Sequence, residues 1–243
     1  LATDTEGDAV EDRVVKVDVT TGEVMQVLDM GDLLPDFKVE RVSEYDPEKQ
    51  ESANREDEGL DWVHINTLQW LGDGTILLSS RETSTIFEIS DLYSEPKIQY
   101  MIGDETFWKG TAYEDLLFEK EGDFTIQGGQ HSVTYETDES LGDGQYYLYM
   151  FNNNIGISTS NPGFDWSSIG LTANTPKNGE TSYYYKYLVD ENAGTFLLAD
   201  SFEVPYSGYV SSAQDLNGNY VTDSGFAGTF AEYDAEHNLI ASY

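Results

Sequence analysis

With 243 residues, 39% of them hydrophobic and 13% aromatic, the chain holds enough apolar material for one sizeable core or two small ones. Its 46 acidic residues against 12 basic ones give a formal net charge of -34, which repels nucleic acid and anionic membrane and favours solubility. There is no cysteine, which excludes disulfides and thiolate metal sites, and no apolar run of the roughly 18–20 residues that a membrane-spanning helix needs.

In chain order, the first elements are strand-like runs at 14–19 and 23–30, joined by Thr20-Thr21-Gly22. They have the look of the last two strands of a four-stranded unit, so 1–32 is expected to be half of one. The first residue is Leu1 and no signal peptide is visible, so a segment upstream is expected to have been removed. Residues 33–59 are charged and contain Asp46-Pro47-Glu48-Lys49, which reads as an exposed loop. The carboxylates of 46–58 offer oxygen ligands to a structural calcium ion, although no ordered Asp-x-Asp-x-Asp-Gly loop is present; no other cofactor is expected.

A self-similar unit follows. A run at 64–70 leads into the turn Leu71-Gly72-Asp73-Gly74, then runs at 75–80, 85–89 and 97–102. The turn recurs as Leu141-Gly142-Asp143-Gly144 and, more loosely, as Leu216-Asn217-Gly218-Asn219, at spacings of 70 and 75 residues. Asp-Gly and Asn-Gly supply the positive φ that tight hairpins demand. Around the second copy lie runs at 131–136, 145–152, 183–189 and 195–202; around the third, 209–215, 220–224, 229–233 and 239–243. Four antiparallel strands in about 40 residues is the size of a propeller blade. The expected fold is therefore all-β: a β-propeller of four-stranded antiparallel blades, about three and a half in this chain. The division is 1–32 as a half blade, 60–103, 128–204 and 205–243 as blades, 33–59 and 104–127 as inserted loops, and 153–179 as a long insertion in the third. A ring needs at least about four blades, so the chain is expected to be a piece whose first partner is the remainder of its own propeller.

Two of the three histidines, His64 and His131, each open the first strand of a unit, and Tyr209 aligns with them in the last. First strands line a propeller's channel, so two imidazoles at one level could bind an anion or move protons. Each alternatively is a half-buried strand residue bonded to a carbonyl. Asn66 and Gln130 flank them. Arg81 reads either as a partner for structural carboxylates or as a channel cation facing an anion. His237 lies in a turn and is expected to face solvent.

The chain resembles the PAPS-independent arylsulfate sulfotransferases of bacteria. The resemblance rests on Val15-Lys16-Val17-Asp18, Thr21-Gly22-Glu23-Val24, Asp61-Trp62-Val63-His64-Ile65-Asn66, Ser79-Ser80-Arg81, Gly129-Gln130-His131, Phe151-Asn152-Asn153 and Phe230-Ala231-Glu232-Tyr233-Asp234. It implies a six-bladed ring, an extracytoplasmic location (periplasmic, secreted or cell-surface), and a ping-pong transfer from an aryl sulfate to a phenol through a sulfohistidine. His64 and His131 match two of the family's active-site histidines, and Asn66, Arg81, Gln130, Asn152 and Tyr209 are the expected substrate contacts. The chain also departs from the pattern. No histidine occurs in 209–233, where the family's nucleophile lies, Asn152-Asn153-Asn154-Ile155-Gly156 carries no arginine, and Val133 replaces an asparagine. Two readings follow: a sulfuryl-transfer enzyme or its diverged relative, and a non-catalytic propeller that binds a ligand or partner.

Overall fold

The computed structural model describes residues 2–6, 9–46, 59–172 and 180–243, with backbone alone for 2–6. The described chain is mostly β and forms open sheets that follow one another in sequence. The first holds β1 (Ala2–Glu6), β2 (Ala9–Val17) and β3 (Val24–Asp29), with β4 (Leu60–Asp61) joining β2 in parallel. The second is the meander β5 (Ile65–Gly72), β6 (Thr75–Ser80), β7 (Thr85–Ser90) and β8 (Lys97–Ile102). In the third, β9 (Glu119–Glu121) flanks β10 (His131–Glu136), β11 (Gln145–Asn152), β12 (Ser182–Asp190) and β13 (Thr195–Val204) as a parallel edge strand on β13. The last is β14 (Ser211–Asp215), β15 (Tyr220–Ser224), β16 (Thr229–Tyr233) and β17 (Leu239–Ser242).

Local chemistry sets the hairpins. Asp73 and Gly74 have φ of 48° and 81°, and Asn217 and Gly218 59° and 85°, the paired positive angles of the turn that matches strand twist. Burial on both faces then stacks the sheets. Ile76 and Leu78 of β6 enter a core shared with the first sheet, while Leu77 between them enters a core shared with the third. In β11, Tyr146, Leu148 and Met150 face the second sheet, whereas Tyr149 and Phe151 face the last. Alternate residues point to opposite faces, so a strand buried on both reads as a continuous apolar run.

Three expectations change. The first thirty residues contain three strands rather than two, and residues 60–61 return to complete their sheet; acidic Thr3-Asp4-Thr5-Glu6 hides β1 from an apolar count. Within 33–59, the charged start is helical: α1 (Met30–Leu33), capped by the Asp29 side chain on Gly31 N at 2.9 Å, and α2 (Pro35–Glu44), with Pro35 in its first turn. Asp36, Glu40 and Glu44 face solvent, Lys38 pairs with buried Glu11, Arg41 bonds Asn161, and Phe37 packs against Trp62 and Trp108. Residues 47–58, with nearly all of the proposed calcium loop, lie outside the described residues. Within 104–127 the chain forms α3 (Glu105–Trp108), a 3-10 turn at 114–116, and β9. Glu-Lys-Glu is a strand here because its position is an edge, where charge is tolerated.

A chain of polar groups crosses between the second and third sheets. The Tyr100 and Tyr146 hydroxyls bond each other, Glu88 bonds Tyr100, and Glu191 bonds Tyr146. Burial, then the Glu191 charge, pushes the Glu88 carboxyl up to about 7 from 4.5. Between those values the native state holds a proton that the unfolded state has released, so stability falls as pH rises from about 4.5 through about 7. Partial solvent access keeps the slope below the one-proton limit of about 1.4 kcal/mol per pH unit. Glu88→Gln is expected to flatten that slope in denaturant titrations at pH 5 to 8, and an unchanged slope would show that Glu88 is not its source.

Candidate functional site

Trp62 and Val63, both fully buried, anchor the chain just before β5 and leave His64 at the strand's mouth. His64 takes a left-handed backbone, φ 47°, uncommon outside glycine but tolerated by histidine. Its carbonyl accepts the Arg81 N–H at 3.0 Å. On either side, Ser80 Oγ donates to Val63 O at 2.5 Å and Ile65 N donates to Asp12 Oδ2 at 2.6 Å, so this backbone is held from both directions. Asp61 Oδ2 lies 2.5 Å from His64 Nδ1. Burial of the ring disfavours its charge, but the hydrogen bond and charge of Asp61, aided by Glu82, outweigh burial and the repulsion of Arg81. His64 therefore titrates above the ordinary imidazole value.

His131 is the first residue of β10. Its Nδ1 lies 2.8 Å from Asn153 Oδ1 and 3.0 Å from Gly129 O. Burial lowers its pKa first, and the charges of His64 and Arg81 push the same way, against the Asn153 bond. Folding thus shifts the two imidazoles in opposite directions. The mutual influence of His64, His131 and Arg81 places them in one neighbourhood, and a Cβ on Gly129 would sit 3.8 Å from Arg81 Cγ. The strand starts are laced together: Asn66 Nδ2 donates to Gln130 O at 2.7 Å, Ser132 N to Thr67 Oγ1 at 3.0 Å, and Ser132 Oγ to Ala213 O at 3.2 Å.

The two histidines are not at one backbone position. Left-handed backbone occurs at His64 before β5, at Gly129 and Ser132 on either side of His131, and at Val210 before β14, with φ of 47°, 60°, 59° and 56°. His131 itself is not left-handed, and Val210 rather than Tyr209 shares the conformation of His64, its carbonyl likewise accepting a backbone N–H, that of Gly225. Tyr209 is half exposed, its ring 5.0 Å from Phe226.

Other residues singled out from the sequence bond to scaffold through one end of their amides. Gln130 is fully buried, its Nε2 donating to Ser79 Oγ, Ser80 O and Thr85 O at 3.0, 3.2 and 3.3 Å. Asn152 Oδ1 accepts from Gly128 N and Asn154 N, both at 2.9 Å. Asn66 bridges β5 to β10 as described. His237, expected in solvent, is half-buried, stacked at 4.5 Å on Phe202 with Nε2 3.1 Å from Asp200 Oδ2.

Of the two readings of Arg81, the structure shows the pairing with a carboxylate. Arg81 faces the imidazoles electrostatically and also pairs with Glu82. Glu82 is buried, and its Oε2 accepts from Thr159 N, Ser158 Oγ, Thr159 Oγ1 and Ser160 N at 2.6, 2.9, 3.1 and 3.2 Å. The long connection after β11 is thereby tied to the site. Behind it lies a cavity of about 460 Å³ lined by Ile157, Phe164, Trp166 and Leu171, with Ser158 on its wall. A larger cleft of about 1100 Å³ lies by α3 and β9, lined by neither imidazole. Asp61, Glu82 and Asn153 carry roles that sequence reasoning missed. The signals were faint: a carboxylate three residues before a histidine, an Arg-Glu dipeptide, and an asparagine inside an Asn run.

Among the described residues no group of three or more His, Cys, Asp or Glu is arranged to hold a metal ion. Residues 1–242 match the family model described as Arylsulfotransferase (ASST). No curated protein matches.

Proposed function

The chain belongs to the arylsulfotransferase family, and on that premise we propose that it moves the sulfuryl group of an aryl sulfate to a phenolic acceptor through a sulfohistidine on its own site. The observation that carries this reading is the juxtaposition of His64, held at Nδ1 by Asp61, and His131, held at Nδ1 by Asn153, with Arg81 beside them, folding raising the proton affinity of the first ring and lowering that of the second. A neutral imidazole is a competent nucleophile, and a charged one beside a guanidinium stabilises the sulfuryl oxygens and the departing phenolate. His64 and His131 are the catalytic residues, with Arg81 as the substrate-facing cation. Asn66, Gln130 and Asn152 support the site through their scaffold bonds.

The sheets are read as consecutive blades of a propeller, divided at 60–103, 128–204 and 205–243 with 1–32 as a partial blade. Shared cores between successive sheets and the laced starts of β5, β10 and β14 support that arrangement. The rest of the ring is its partner, and an extracytoplasmic location suits a cysteine-free, acidic member of this family.

The second reading, a ligand-binding propeller without turnover, is favoured by one observation: Arg81 has its charge met by Glu82, and the family's third histidine is absent. A chromogenic aryl sulfate with a phenol acceptor separates the two. The intact protein is expected to release phenol, and His131→Ala to lose about 10²–10⁴ of that rate, with a smaller loss for His64→Ala because a chromogenic phenolate needs little help from an acid. Absence of release from the intact protein would leave the binding reading standing.

A further inference from the structure

Resting on the sulfuryl-transfer reading, we infer that His131 Nε2 is the nucleophile of this chain and His64 Nε2–H the acid that protonates the leaving phenolate. This assigns the covalent step to a different histidine from the one the family resemblance leads one to expect.

Tautomer geometry carries the assignment. His131 Nδ1 faces two acceptors, Gly129 O and Asn153 Oδ1. The Asn153 amide cannot be turned around, because its Nδ2 donates to Ser207 O at 2.6 Å and Ser211 Oγ at 3.2 Å. A carbonyl and an oriented amide oxygen both require a donor, so Nδ1 carries the proton and the lone pair lies on Nε2. No group among the described residues hydrogen-bonds that Nε2. At His64 the Nδ1 partner is a carboxylate, which favours the imidazolium and leaves Nε2 bearing a proton. The third histidine is engaged elsewhere, with Phe202 and Asp200.

The step balances. The Nε2 lone pair of His131 forms the N–S bond while the S–O(aryl) bond breaks. Its electron pair leaves on the phenolate oxygen, which takes the proton from His64 Nε2. The sulfated ring keeps its Nδ1 proton, and its positive charge is met by Asn153 Oδ1 and Gly129 O. In the second half, the acceptor phenol gives its proton to neutral His64, its oxygen attacks sulfur, and the N–S pair returns to His131.

The test traps the intermediate. Protein is mixed with 4-nitrophenyl sulfate without acceptor, quenched in alkali and digested, and the peptides are searched by mass spectrometry for one added SO3. The label is expected on the peptide containing His131. His131→Gln, checked for folding by circular dichroism, is expected to lose it. His64→Gln is expected to keep it but to slow phenol release about 10²-fold with phenyl sulfate, and far less with the nitrophenyl donor, whose anion leaves unaided. A merely structural role for His64 would slow both donors alike. The rate of phenol release by intact protein should be bell-shaped, its acid limb below 6.5 from His131 and its alkaline limb above 6.5 from His64. Phenol release with the label on His64, or with no label on His131, overturns the assignment and leaves sulfuryl transfer intact. No release from the intact protein overturns both.

Discussion

Glu82→Ala is expected to cost the protein about 3–5 kcal/mol of unfolding free energy, the range for removing one member of a buried ion pair. The carboxylate is buried, pairs with Arg81, and is the common acceptor for Ser158, Thr159 and Ser160. Its removal strands a guanidinium and several donors at once, and an unmet buried donor alone costs about 1–3 kcal/mol. Glu82→Gln preserves the volume and one acceptor and should cost less. Denaturant unfolding measures the loss. The indole of Trp166, in the same connection, reports separately whether residues 156–172 detach. A loss below about 1 kcal/mol would show that the pair is solvated, as surface pairs are.

Trp108→Ala is expected to cost a similar amount, about 3–5 kcal/mol, by leaving a cavity where an indole was. Trp108 is fully buried, with the rings of Phe37, Phe107, Tyr113 and Phe87 at 5.0, 5.3, 6.0 and 6.1 Å. Its Nε1 donates to Thr85 Oγ1 at 2.9 Å. The consequence reaches the site. Thr85 O is one of three acceptors holding Gln130, the residue before His131. Trp108→Phe keeps most of the packing and loses the hydrogen bond, so its cost should be clearly smaller. If the Ala variant unfolds at the wild-type denaturant midpoint, the aromatic cluster does not support the fold as described.

The helix α2 shows where sequence reading stops. Asp36, Lys38, Glu40, Arg41 and Glu44 look like a solvated loop, because a count of charges cannot show that the opposite face carries Phe37 to Trp62 and Trp108. Strand β9 failed for the same reason in reverse, since its exposed charges suit an edge that only β13 creates. Gln130 looked like a ligand contact because it precedes a candidate histidine. Strand alternation turns its side chain the other way, into the neighbouring sheet.

By itself the sequence determined what depends on neighbours a few residues away. Asp73-Gly74 and Asn217-Gly218 accept two positive φ angles at little steric cost, so the hairpins follow from local backbone energetics. The runs they separate are β-branched and aromatic, so strands follow too. The segment 61–66, with its histidine, was legible as a site candidate on the same terms. Tertiary structure alone decided the chemistry of His131. The tautomer of His131 depends on Asn153, 22 residues away, whose orientation depends in turn on Ser207, a further 54 residues along. Arg81 and Glu82 become a site pair only when residues 158–160 fold over them. Protonation is set by the field and hydrogen bonds of groups brought together by folding, and distance along the chain carries no record of them.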